Sequence, residues 1–415
     1  MSSAFSTLAL EGSFPAGRKK GEDSGKAVLG LLLFVVIGFV PVVRVGGVPV
    51  PLFLAFAPVI LLYRPAITVN EARLALAAIV YVAFVCAINY FFRGGEVKDA
   101  LFFLIPVETL LGLLLFRSLI TVHNVQAWLR IGGGFVMVQY AIMLAQLSDL
   151  FGLRSLLAGY WLWLASSAVG DVSQGLKLVA GEEAMRATGT FGIATLAGIL
   201  CYVICRANYI ATGKRRWLVY AIVGLLLTSH RTGLVIFAFF EFVVAQFFRV
   251  SLLRWAALAL SGIVGTVAFL ALLTYLEVSG ILPNPVGWAI ELVFLNPTGG
   301  LAGFYSYSYR LSMYQWAFSE PYKLLFGGLV LSDVPDTGYI DSEFVMRSLQ
   351  FGLFGYLCFQ LLYWRPFSLR RDADALFLPV ALVIMSLTQT VASNAYCVPF
   401  LMFYHRVLEL KIMRR

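Results

Sequence analysis

Apolar residues in this chain come in long runs separated by short polar stretches, not in the strict alternation of half-buried strands. Crossing a bilayer as a helix takes about 17–25 such residues. The pattern predicts twelve helical spans, at 26–44, 48–63, 73–92, 100–117, 128–147, 190–210, 216–229, 232–249, 254–277, 343–363, 375–392 and 395–411. The second and seventh are short, which tilting, or a pairing with the eighth span, would accommodate. Residues 1–25 are polar and read as a loose cytoplasmic tail that does not fit a signal peptide. Residues 26–415 read as one integral membrane domain with two long loops, at about 148–189 and 278–342. A Trp- and Leu-rich piece at 150–165 is expected in the interface plane, and a short helix at 286–295. Long loops in a compact membrane protein point to function.

Composition strengthens this reading. Hydrophobic residues make up 60% of the 415 and charged residues only 13%, against roughly a quarter charged in soluble chains. Mean hydropathy is +0.86. The expected fold class is therefore an all-α polytopic membrane protein. The net charge of +9 adds an orientation. Arg18, Lys19, Lys20, Lys26, Arg64, Arg73, Arg117, Arg130, Lys214–Arg216, Arg249, Arg254, Arg365, Arg370, Arg371, Lys411, Arg414 and Arg415 all fall on one side when both termini are cytoplasmic. Both long loops then face outward, and the charge reflects topology and anionic lipid, not nucleic acid. Cys86, Cys201, Cys205, Cys358 and Cys397 lie within apolar spans and form neither a disulfide framework nor a zinc spacing.

Four arginines run against the charge bias: Arg186, Arg231, Arg310 and Arg347, each at the edge of an apolar run. A guanidinium never loses its charge and donates paired hydrogen bonds, which suits a diphosphate. The plainer reading is snorkelling, or pairing with Glu182, Glu183 or Glu343. Asp341, just ahead of "SEFVMRSLQFGLFGYL", is ordinarily a helix cap, yet beside a row of cations it could act as a general base. Asp333, Asp336, Glu320 and Glu343 compete with it. Read as a helix, Asp341, Ser348, Gly352 and Gly355 share one face, and small residues there allow a close approach. Glu108 and Glu241 fall inside spans, where an ionisable group is a functional candidate. His123, His230 and His405 are scattered, and no metal-site, P-loop or nucleophile-elbow motif is present.

Four segments taken in order, "MRATGTFG", "LLLTSHRTGLVIF", "YRLSMYQWAFSEPYKLLFGG" and "DSEFVMRSLQFGLFG", resemble the bacterial O-antigen polymerase and O-antigen ligase superfamily. They cover residues 186–355. His230 stands where the family usually has Ser, and Asp341 where ligases have His, which favours the polymerase subtype. The resemblance implies a GT-C-like, metal-independent membrane glycosyltransferase with no cofactor at the periplasmic face of the bacterial inner membrane. Donor and acceptor would both be polyprenyl-diphosphate-linked oligosaccharides. Asp341 would deprotonate the acceptor hydroxyl for an inverting attack, while Arg186, Arg231 and Arg310 hold the departing diphosphate. Arg347 stays in reserve as a partner of Glu343. Membrane lipids, a chain-length regulator and a flippase are the implied partners. The nearest alternative is a ligase acting on lipid A-core. An alternative of another class is a lipid-linked oligosaccharide transporter with Glu108 and Glu241 as proton carriers.

Overall fold

The computed structural model describes residues 20–40, 42–45, 48–63, 65–94, 103–157, 159–160, 187–191, 194–228, 230–248, 314–329, 342–369, 372–387 and 397–413, with a few isolated positions between them. Helix α1 (Lys20–Phe39) leads into a hairpin of β1 (Val42–Val45) and β2 (Val48–Pro51), paired antiparallel with Val43 opposite Val50. A 3-10 turn (Leu52–Phe56), α2 (Ala57–Tyr63), α3 (Val69–Phe92), α4 (Leu104–Leu119) and α5 (Val125–Leu147) follow. Next come α6 (Ala194–Thr212), α7 (Arg216–Leu227) and α8 (Arg231–Ala238), which continues through a π-helical turn, Phe239–Val244. Helices α9 (Pro321–Phe326), α10 (Glu343–Leu369), α11 (Ala373–Ser386) and α12 (Val398–Met413) complete the described elements.

Local chemistry sets several helix starts. Thr68 and Glu71 form a reciprocal capping box at α3, with Glu71 accepting from the Thr68 N–H at 2.9 Å. Asp372 accepts from the Ala375 N–H at 2.9 Å and starts α11. The core is aromatic. Phe34 of α1 touches the rings of Trp128 and Phe135 on α5 and of Phe400 and Phe403 on α12.

The twelve-span expectation is overturned. Among the described residues, three helices are long and apolar enough to cross a membrane: Val69–Phe92, Val125–Leu147 and Glu343–Pro366. The segment 48–63 breaks into a strand, a 3-10 turn and a seven-residue helix. The segments 216–229 and 232–249 give a twelve-residue helix and an eight-residue helix that turns π-helical. Helix α6 is apolar because it is enclosed by protein: residues from Leu196 through Ala207 are all buried. An apolar run is demanded equally by lipid and by a protein core, and composition does not separate the two. The segment 254–277 lies almost wholly outside the described residues. The protein is thus membrane-associated, and its described residues are helical apart from the β1–β2 hairpin, with three membrane-length helices among them in place of a twelve-span, GT-C-like scaffold. The narrow terms O-antigen polymerase, O-antigen ligase and lipopolysaccharide assembly presuppose that scaffold and conflict with these three spans.

The bundle has a charged end. Arg117 on α4 pairs with Glu71 on α3 at 2.6 Å and with Glu409 on α12. Arg365 on α10 reaches Glu71 at 2.6 Å, and Arg406 reaches Glu409 at 3.1 Å. Beside this network, the fully buried Arg206 of α6 joins Glu241 in the π-helical turn to Asp374 on α11, and Lys411 closes on Asp374. Arg206 also lies over the rings of Phe240 and Phe377, at 4.9 and 5.5 Å. Arg117, Arg365 and Lys411, which the charge pattern assigns to one side, are together at this end.

Candidate functional site

The opposite end gathers the four segments that carry the resemblance. The first is held by two glutamines of α5, seven residues apart on one helical face. Gln146 Oε1 accepts from the backbone N–H of Thr188 (2.9 Å) and of Gly189 (3.2 Å), and Gln146 Nε2 donates to Thr188 Oγ1 at 3.1 Å. Gln139 accepts from the Thr190 N–H at 3.0 Å and donates to Thr190 Oγ1 at 2.7 Å. Thr190 Oγ1 in turn donates to the Gly38 carbonyl at the end of α1 (2.6 Å). Gly189 has φ +56°, and a Cβ there would sit 2.5 Å from Gln139 Oε1.

The second segment is joined to the first through the backbone. Ala187, one residue after Arg186, donates its N–H to the carbonyl of Leu227, the last residue of α7 (3.2 Å). The chain then turns through Thr228 and His230, whose N–H donates back to Leu225 at 2.9 Å, and Arg231 opens α8. Gly198 of α6 abuts this turn, since a Cβ there would lie 2.4 Å from Thr228 Oγ1.

The third and fourth segments meet twice. Tyr314 Oη lies 3.0 Å from Ser342 Oγ and donates to the Leu387 carbonyl at 2.6 Å. Ser342 donates to the Ser386 carbonyl (3.0 Å) and accepts from the Val345 N–H (3.3 Å), so Ser342 provides a side-chain cap where α10 begins. The second meeting is deeper. Helix α10 is broken at Gly352, with φ +76° and ψ 166°. The Gly327–Gly328 turn after α9 lies against this break so closely that a Cβ on Gly352 would sit 2.5 Å from the Leu325 carbonyl oxygen. The single small-residue face expected along 341–355 is therefore interrupted. Gly352 is a break that receives another backbone. Gly355 is a close approach to α3, where an added Cβ would lie 3.2 Å from the Tyr81 ring.

Helix directions put both pairs at the same end. Arg206 links Glu241 to Asp374, α8 packs on α11, and the two helices are therefore antiparallel. The far end of α11, Ser386, then lies toward Arg231. Ser342, at the start of α10, meets Ser386, while Arg365, near its other end, meets Glu71, so α10 connects this end of the bundle with the charged one.

Arg186, Arg310 and Asp341, with Asp333, Asp336, Glu182 and Glu183, lie outside the described residues. Arg231 is described by its backbone only. Arg347 is buried and donates to Gln350 Oε1 at 2.7 Å. Glu241 belongs to the charged end, paired with Arg206. Glu108 is buried on α4, close enough to Arg347 for the guanidinium to act on its charge. Reasoning from sequence missed Gln139, Gln146 and Tyr314. The signal for the glutamines was present as two amides one heptad apart in the part of α5 beyond Arg130, which is otherwise without polar side chains. No protein-family model matches the chain, and no curated protein does.

Proposed function

We propose that this protein is a membrane glycosyltransferase that moves a growing glycan from a polyprenyl diphosphate onto the next lipid-linked repeat unit. In this reading Asp341 takes the proton of the acceptor hydroxyl. Arg186, Arg231 and Arg310 bind the diphosphate and stabilise the charge it gains as it leaves. The chemistry runs without a metal or cofactor, at the outer face of a bacterial plasma membrane, with both termini inside.

The observation that supports it is the convergence of four separate segments at the end of the bundle away from the charged networks. Ala187 binds the carbonyl of Leu227, and Tyr314 meets Ser342. Each of these residues lies within four positions of one of the proposed functional residues. The gathering of Arg117, Arg365 and Lys411 at the other end supports the orientation.

The test is glycolipid analysis, by gel and mass spectrometry, of a strain lacking the gene and complemented with the wild type, Arg310→Ala or Asp341→Ala. Single repeat units without a ladder in the deletion strain, unrescued by either variant at normal protein level, support the reading. Long chains stranded on the carrier would mean transfer to a terminal acceptor instead. Full rescue by both variants would remove the site assignment.

A further inference from the structure

The break in α10 leaves polar atoms that the chain does not satisfy. Asn89 of α3 and Gln350 of α10 are both buried, at 3% and 1% exposure. Asn89 Nδ2 donates to the Gln350 carbonyl at 3.3 Å, and Gln350 Oε1 accepts from Arg347 Nη1 at 2.7 Å. These two bonds fix which way each amide faces. Asn89 Oδ1 is thereby left as an acceptor and Gln350 Nε2 as a donor, each buried without a hydrogen bond from the chain. Leaving such an atom unmet is costly, so two on residues joined by a hydrogen bond call for a ligand.

The chemistry of the ligand follows from the charges around it. A cation would face Gln350 Nε2 and the Arg347 guanidinium. An anion would face the lone pairs of Asn89 Oδ1. A small neutral molecule that donates and accepts through one oxygen suits both orphan atoms. We infer that the break in α10 is an internal hydration site, where ordered water bridges Asn89 Oδ1 and Gln350 Nε2 and connects the buried Glu108–Arg347 region with the Gly352 break. Broken helices with polar backbone at membrane depth are tolerated where they are buried in protein or line water. The consequence is chemical: Glu108, although enclosed, exchanges its proton with solvent through this water. The inference does not depend on the glycan-transfer reading.

Infrared spectroscopy of the full-length protein in lipid nanodiscs tests it. The protein is transferred from H2O to D2O at a pH low enough to protonate carboxyls, and Glu108→Gln identifies the Glu108 band. Exchange of that band well ahead of the α4 core amides is the expected result, with loss of the fast exchange in Gln350→Leu or Asn89→Leu. A Glu108 band that exchanges no faster than those amides overturns the inference, as does unchanged exchange in both leucine variants. Radiolytic labelling of the wild type gives a second reading free of folding effects. Ordered water beside the break should label the buried Phe351, and its absence from the labelled set would count against the site.

Discussion

The backbone N–H of Gly328 donates to the carbonyl of Gln350 across 3.1 Å, and Leu329 does the same to Leu349 at 2.9 Å. Both bonds follow from the break at Gly352. In a continuous helix the carbonyls of 349, 350 and 351 would accept from residues 353, 354 and 355. Once Gly352 leaves helical geometry those carbonyls need other donors. Gly328 and the following Leu329 serve two of them. Tyr81 serves the third, donating to Phe351 at 2.9 Å, and Asn89 adds a second bond to Gln350.

Gly352→Ala should therefore destabilise the protein by about 1–3 kcal/mol, through a left-handed φ that a side chain resists and a methyl pressed onto the Leu325 carbonyl. Gly134→Ala is the internal contrast. Gly134 is helical with nothing within 4 Å of an added Cβ, so the change should be neutral or stabilise by about 0.4–1 kcal/mol. Thermal unfolding in detergent reads both. Equal midpoints for the two variants would mean that α10 straightens without cost.

Arg206→Met should lose about 3–5 kcal/mol, because it strands Glu241 in the core without its partner. Arg206→Lys should recover little of this. A single ammonium does not reproduce the planar fork that reaches Glu241 with one nitrogen and Asp374 with the other. The double variant Arg206→Met/Glu241→Met should be more stable than Arg206→Met alone, since Asp374 keeps Lys411. Melting midpoints of purified protein decide the order, and a double variant weaker than the single would refute it.

The sequence carried the helical character of the chain in its apolar runs, and the one-sided placement of Arg117, Arg365 and Lys411 in its charge pattern. It did not carry the number of membrane-crossing helices. Leu200 and Val203 in α6 are as apolar as Val80 and Phe84 in α3, yet the first pair is buried in protein and the second is exposed on the outer surface. Hydropathy does not separate the two pairs. The four segments at one end were legible as segments, but not their contacts. Nothing in "LFGG" announces that its backbone fits a break at Gly352, more than twenty residues away along the chain. Gly352 itself reads equally well as a packing residue or as a break, because a glycine serves both.

Gln146→Leu should loosen the segment that follows Arg186. One amide oxygen there receives two backbone N–H groups, from Thr188 and Gly189, and leucine offers no acceptor to either. Each orphaned buried N–H costs about 1–3 kcal/mol, borne by a short connection and not by the whole bundle. Hydrogen exchange in a peptide covering 187–191 should accelerate while the α5 peptides stay protected. Uniform acceleration across α5 would show instead that the glutamine supports the helix.

The Tyr314 and Ser342 hydroxyls make three oxygen contacts that call for a proton: one with each other, one from Tyr314 to Leu387 and one from Ser342 to Ser386. Each hydroxyl carries one proton. Two protons serve three contacts, so the Tyr314–Ser342 approach competes with the two carbonyl bonds. Tyr314→Phe then releases Ser342 to donate to Ser386 alone, and the Leu387 carbonyl, on a half-exposed residue, finds water. Its cost should be under about 1 kcal/mol, at the low end for a hydrogen bond. Ser342→Ala removes the side-chain cap of α10 and the donor to Ser386 together, and should cost about 1–2 kcal/mol. The double variant should equal the sum within about 0.5 kcal/mol, as for sites without a strong mutual bond. A larger coupling in that cycle, measured by denaturant unfolding, would mean that the two hydroxyls bind each other in preference to the carbonyls, and that Tyr314 closes directly onto the start of α10.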